Sequence, residues 1–378
     1  MEDKFEDLIK KPLVLLGAGG LAHLAISIWP NDDLSRPVFI IDRSPRASSL
    51  YGIPIFKNSE HRFNKRYGYV LAFFEEDARN IHELFSEIDQ PIFTVYDIFE
   101  QYISDQFSNG WSYPIGIETQ KRFVSCFEDR SSVMIAEAVM AWRTNRRLVL
   151  DYPRFKKIEK YFLYGDELPS GNFFSLVIDG GANDCCLMQS LATQNIRCAK
   201  YIAVEPDEKN FVGIDEHLVS KVTDQFELIT QPLDSAEREV NFLEVGSLSS
   251  RIIDNNRTMM GAVNMTSTSL RIICEKLVDN EEEYYKSVLC KLHIEGAEWS
   301  VIRADLGVLM SFDHVVIVVN LSHNMASTLH IPALLKANGF KMRLHSYSLF
   351  GEGLNCIASK VNNLNKFRDR KGLVKYGV

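Results

Sequence analysis

Two stretches of the chain share one order of apolar and polar positions. Each has a short apolar run, a glycine-bearing turn, an apolar helix, and a second apolar run that closes on an acid. The first is PLVLLGAGGLAHLAISIW followed by RPVFIID. Leu13 to Leu16 reads as a buried strand, Gly17 to Gly20 as a turn, Leu21 to Trp29 as a helix, and Val38 to Ile41 as a strand ending at Asp42. YGYVLAFF and QPIFTVY add two strand-like runs around the helical EEDARNIHELFSEI. The second stretch starts at Phe174, with FSLVID as strand, GGAND as turn, CCLMQSLATQ as helix and AKYIAVE as a strand ending on Glu205. Further strands are expected at 225–231, 289–294, 314–321, 341–348 and 354–359, the last two joined by a glycine-bearing hairpin loop. Between the two stretches, Val133, Ala136, Val139 and Met140 mark one face of a helix that Ser131 or Ser132 would cap.

This pattern predicts an α/β protein of two Rossmann-like three-layer domains, the C-terminal one a doubly wound sheet with one antiparallel edge strand. Expected boundaries are a nucleotide-binding-type domain at 1–115, a helical connector at 116–172 and a second α/β domain at 173–378. A chain of 378 residues suits two domains. Its hydrophobic fraction of 46% and charged fraction of 24% are those of an ordinary globular protein. The net charge of −8 argues against a general nucleic-acid binder. Six Lys/Arg residues against one acid in 360–375 read as a solvated face, with an anionic partner as the alternative.

No apolar run approaches the roughly 18–20 residues of a membrane span, and the opening MEDKFEDLIKK lacks the form of a secretory signal. Seven cysteines without a CxxC pair read as reduced thiols, so a cytoplasmic location is expected. Homo-oligomerisation is left open.

In the first domain, Gly17-Ala18-Gly19-Gly20-Leu21-Ala22 fits a G-x-G-x-x-G/A turn, with Asp42 at the end of the next strand. Glycines admit a diphosphate, the helix start supplies N–H donors, and the acid accepts ribose hydroxyls. Nucleotide or nucleotide-sugar binding, redox use of NAD, and a purely structural turn capped by Asp42 all remain open. The stretch resembles the N-terminal nucleotide-sugar-binding domain of some bacterial sugar acyltransferases.

In the second domain, Asp179-Gly180-Gly181-Ala182-Asn183-Asp184 is followed, at the next strand end, by Glu205-Pro206-Asp207. Two acids and a glycine turn suit a sulfonium nucleoside, and Pro206 stiffens the turn that carries Glu205. Asp234 is taken as a further cofactor-binding acid. At the end of a later strand stand His293 and Glu295, which should face the same crevice as Asp179. Glu298 reads instead as a cap of the following helix.

Together VIDGGAND, YIAVEPDEKNF and KLHIEGAEWSVIRAD resemble the FkbM family of S-adenosylmethionine-dependent methyltransferases, over roughly 174 to 360. The resemblance implies methyl transfer from S-adenosylmethionine to a hydroxyl of a sugar or other small-molecule acceptor. It places Asp179, Gly181 and Asn183 in the cofactor loop, Glu205 on the ribose and Glu295 as a further acid. The chain departs from the family pattern at Cys185, where a glycine is usual, at His293 and Arg271, each in place of an acid, and at Asn320. Cys185 is read as a small side chain that packs, Cys186 as core. A hydroxyl acceptor calls for a base, with His293 as first candidate and His323 as second. No resident metal is expected, although His293, Glu295 and His323 could converge on one. His293-Ile294-Glu295 also forms the H-x-E of zinc deaminases, without the P-C-x-x-C that accompanies it. A non-catalytic binding protein with a degenerate methyltransferase domain, or an NAD-dependent enzyme, are the alternative functions.

Overall fold

The computed structural model describes residues 7, 10–18, 22, 25–26, 29, 36–72, 88, 93–95, 116–145, 161–207, 210, 215–243, 251–253, 262–278, 286–294, 296–321, 328–346 and 354–361. The chain forms two compact units, 1–120 with 134–157 and 346–352, and 121–133 with 158–345 and 353–378. Among the described residues no helix is long and apolar enough to cross a membrane.

The first unit is built on six strands: β1 (Leu13–Leu16), β2 (Phe39–Asp42), β3 (Ser49–Leu50), β4 (Ile53–Lys57), β5 (Gly68–Leu71) and β6 (Phe93–Thr94). Their order is β3-β4-β2-β1-β5-β6, parallel except where β3 pairs antiparallel with β4. All four residues of β1 are buried because apolar layers cover both faces of the sheet. Ala22, Ala25, Ile26 and Trp29 pack on one face. Phe63, Tyr67 and Tyr69 gather on the other, their rings meeting edge to face. The expected strands at 13–16 and 38–41 are present. β3 and β4 were not expected, since half of their residues face solvent and give no apolar run. The helix expected at 75–88 lies outside the described residues, apart from Ile88.

Two helices follow, α1 (Ile117–Val124) and α2 (Arg130–Asn145). The cap of α2 is Asp129, whose Oδ1 accepts from Ser132 N at 2.9 Å. Ser132 has another use. Its hydroxyl oxygen accepts from the backbone N–H of Leu344, and this corrects the expected serine cap.

The second unit contains β7 (Phe173–Gly180), α3 (Cys186–Thr193), β8 (Arg197–Val204), α4 (Glu216–Val222) and β9 (Thr223–Ile229). A small sheet follows, of β10 (Glu239–Leu243), β11 (Arg251–Ile253) and β12 (Ala262–Thr266). The unit then runs through α5 (Leu270–Val278), β13 (Ser287–Leu292), α6 (Glu298–Leu309), β14 (His314–Asn320), α7 (Ile331–Ala337), β15 (Lys341–Ser346) and β16 (Leu354–Val361). The large sheet has the order β15-β16-β14-β13-β7-β8-β9. Its pairs from β14 to β9 are parallel, and β16 runs antiparallel to β14. The reversed strand lies one place in from the edge, inserted between β14 and β15. β13 is buried at every position, as a central strand covered on both faces must be. Strand order reverses between β7 and β13, the place where open α/β sheets leave a crevice at their carboxyl ends.

The segment entering β7 is pinned by polar bonds. Leu163 N donates to Gln194 Oε1, and Tyr164 N donates to Glu167 Oε2. Arg343 lies 3.2 Å from the other Glu167 oxygen, bonds Asp166 and covers the Tyr164 ring. Burial raises the Glu167 carboxyl from its ordinary 4.5 to about 7. With the folded value above the unfolded one, the stabilising effect is fully present below pH 4.5 and is lost as pH rises through 7. The loss amounts to at most about 3 kcal/mol. Replacing Glu167 by Gln is expected to remove this slope, checked by comparing wild-type and variant unfolding free energies from about pH 5 to about pH 8. Parallel curves for the two proteins would contradict it.

Candidate active site

The chain leaves β7 through a turn that is held from beneath. Asp179, with no exposed surface, receives the Tyr201 hydroxyl on Oδ2 at 2.5 Å. Lys291 Nζ stands 2.9 Å from its Oδ1, an ion pair by proximity, while the hydrogen bond of the ammonium goes to Gly181 O. Asp179 and Lys291 are register partners on β7 and β13, so the pair is a cross-strand contact inside the sheet. Above it, Gly181 N and Ala182 N donate to Val204 O, and Asn183 N donates to Glu205 Oε2 at 2.8 Å.

Glu205 organises the rim at the end of β8. Its Oε1 accepts from Asp207 N at 3.0 Å and from Asn210 Nδ2 at 3.4 Å. Burial raises its carboxyl above the ordinary value, opposed by the hydrogen bonds from Asn183, Asp207 and Asn210 and by the charge of Lys291.

These turns surround an open cleft. Gly181, Ala182, Asn183, Glu205, Pro206 and His293 all line it, so the structure brings half of the expected set together. Four expected residues lie elsewhere. Asp179 is sealed under the turn with its carboxylate engaged by Tyr201 and Lys291. Gly180 is packed against Leu233 and the Lys291 backbone, and Asp207 is fully buried behind Glu205. Asp234, also buried, accepts from Arg238 Nε at 2.6 Å and from Ser235 N at 2.7 Å. Asp179 and Asp234 hold backbone and side chains in place, and none of the three acids lines the cleft. Glu295 and His323 lie outside the described residues.

His293 stands where β13 ends. Its backbone N–H donates to Gly180 O, and its Nδ1 lies 3.2 Å from the Tyr161 hydroxyl. Glu298 serves as a loop cap, its two carboxylate oxygens accepting from Ile294 N and Gly296 N at 2.9 Å each. Asn320 is buried in the sheet opposite Asn355, to whose Oδ1 it donates, and so does not face the cleft. Cys185 adopts a left-handed φ of 59° and is buried in the core beside α3, which shows what the usual glycine would relieve there. Cys186, expected in the core, packs against its edge while partly lining the cleft, and it donates its thiol hydrogen to Asp184 Oδ1.

The residues that sequence reading missed are the walls. Phe242 and Ile252, from the three-stranded sheet, line the cleft with Leu233, opposite Lys291 and Tyr161. A signal for Lys291 existed: a lysine inside the apolar run VLCKL requires a buried acid nearby.

In the first unit, Asp42 Oδ2 accepts from Ala18 N and Oδ1 from Ser44 N, each at 2.8 Å. Gly17 N donates to Ile41 O at 2.7 Å. Asp42 therefore ties the turn to the strand beside it. Gly19 and Gly20 lie outside the described residues.

No protein-family model matches the chain, and no curated protein does. Among solved structures it is similar to the methyltransferase FkbM from Methylobacillus flagellatus KT. The two are 13% identical, with 94% of this chain and 93% of that chain covered and a TM-score of 0.62. At that identity the likeness shows the fold: this chain has a two-domain, Rossmann-like methyltransferase fold.

Proposed function

We propose that the second unit binds S-adenosylmethionine in this cleft and transfers its methyl group to a hydroxyl of a sugar, glycan precursor or other small metabolite. The observation that carries the reading is the position of Glu205, presented at the end of β8 to a cleft at the switch point of a methyltransferase-type sheet. The donor set suits the cofactor. Glu205 would hold the ribose hydroxyls, and Leu233, Phe242 and Ile252 would cover the adenine. Asp184 and Glu205 put negative charge in a cleft whose lysine is already matched by Asp179, which favours a cationic ligand.

Bound there, S-adenosylmethionine would supply an electrophilic methyl group to the acceptor oxygen, and the proton of that hydroxyl would be left for the protein to take. His293 is the described cleft residue suited to take it, a role within the reach of an imidazole at neutral pH. The turn around Gly181 and Asn183 and the apolar side chains of Leu233, Phe242 and Ile252 give the site its shape. In the first unit, the engagement of Asp42 supports the reading of a structural turn.

Calorimetric titration with S-adenosylmethionine tests the reading. Micromolar binding is expected, weakened on the order of ten-fold or more by Ile252→Arg, which adds bulk and a cation to the wall without touching the turns. Wild-type protein that takes up neither S-adenosylmethionine nor its demethylated product would overturn it.

A further inference from the structure

We infer that Tyr161 is a positioning residue that makes His293 a base, by accepting its Nδ1–H and so keeping the lone pair on Nε2. The inference rests on the reading of His293 as the proton acceptor. Neutral imidazole carries one N–H and one lone pair, and the hydrogen bond at one nitrogen fixes which is which. Nδ1 is the nitrogen beside the Tyr161 hydroxyl, at 3.2 Å. If Tyr161 donates to it, His293 presents Nε2–H and can only donate to an acceptor. If Nδ1 donates to Tyr161, Nε2 can take a proton. A base at this position therefore requires the second arrangement.

The surroundings of Tyr161 hold its hydroxyl beside the imidazole. Only 2% of the residue is exposed. Its backbone carbonyl accepts from Gln194 Nε2, and the same Gln194 holds Leu163. The Lys291 ammonium stands 5.5 Å from the ring centroid, itself fixed by Asp179 and Gly181 O. His293 is fixed from its backbone by Gly180 O. These contacts hold the two residues side by side before any ligand arrives, and the direction of the hydrogen bond between them follows from the reading of His293 as the base.

The test is long-range proton–nitrogen NMR on the full chain labelled with 15N-histidine, recorded on the order of two pH units above the usual imidazole value so that the rings are neutral. The His293 signal is the one lost in His293→Gln. In wild type it is expected to show the Nδ1–H form. In Tyr161→Phe, which keeps the ring beneath Lys291 and removes only the oxygen, it is expected to move to the Nε2–H form that an unconstrained imidazole favours. An Nε2–H signal in wild type overturns the inference, as does the same tautomer in both proteins. If Tyr161→Phe does not fold, the wild-type tautomer decides. The spectrum needs no cofactor, so the two readings fail separately. The Nδ1–H form without S-adenosylmethionine binding overturns the methyltransferase reading alone, and binding with the Nε2–H form overturns the Tyr161 assignment alone.

Discussion

Lys291→Met is expected to cost the second unit about 3–5 kcal/mol, and adding Asp179→Asn to it is expected to recover much of that loss. Both side chains are withdrawn from solvent, with 3% and 0% of their surfaces exposed. Methionine fills much of the volume of the lysine stem but leaves Asp179 with the Tyr201 hydroxyl as its strong donor. A carboxylate in that position must either remain charged in a low-dielectric interior or take up a proton, and each alternative opposes folding at neutral pH. Neutralising it with Asn removes the charge. The carbonyl of Gly181 still loses the donor it had in Lys291, so recovery should be incomplete. Urea unfolding of wild type, both single variants and the double variant gives the coupling energy. Losses that simply add would mean that the two groups do not act as a pair.

That pair also marks how far the sequence could be read. Apolar runs located the strands of the large sheet, because β13 and β14 are covered on both faces and carry no alternation to interpret. The order of glycine turn, acid and helix start located the neighbourhood of the cleft, since that order is what a crevice at a strand end requires. What each acid does there was less legible. Asp179 pairs with Ala203, two residues before Glu205, and is sealed by Lys291, while Glu205 lies past the end of its strand and lines the cleft. The cover over Asp179 comes from the register of β13 on β7, a long-range pairing that no local pattern encodes. The three-stranded sheet escaped for a related reason. Its strands are short and partly exposed, and Phe242 becomes a wall of the cleft only when β10 pairs with β11 and β12. Asp129 shows the same limit at short range. It and the two serines after it are all good caps, and the choice depends on Leu344, which takes Ser132 away.

Gly181→Ala is expected to destabilise the second unit by more than about 4 kcal/mol, in the class of exceptional single substitutions. Two terms combine. Gly181 has φ of 70°, where a side chain costs about 1–2 kcal/mol. Its added Cβ would also run into the carbonyl oxygen of His293. That carbonyl has little room to retreat. His293 N donates to Gly180 O, and the next residue, Ile294, donates to Glu298, a carboxylate fully buried in the first turn of α6. Relief would have to break the bonds that join the turn after β7 to the turn after β13. The glycine is therefore required by the approach of these two backbones, whether or not a cofactor lies above it. Loss of S-adenosylmethionine binding in any Gly181 variant should accordingly appear together with a lowered melting temperature. Ile252→Arg, away from the turns, should weaken binding with melting unchanged. Gly181→Ala melting like wild type but failing to bind would reverse this assignment and make the glycine a direct cofactor contact.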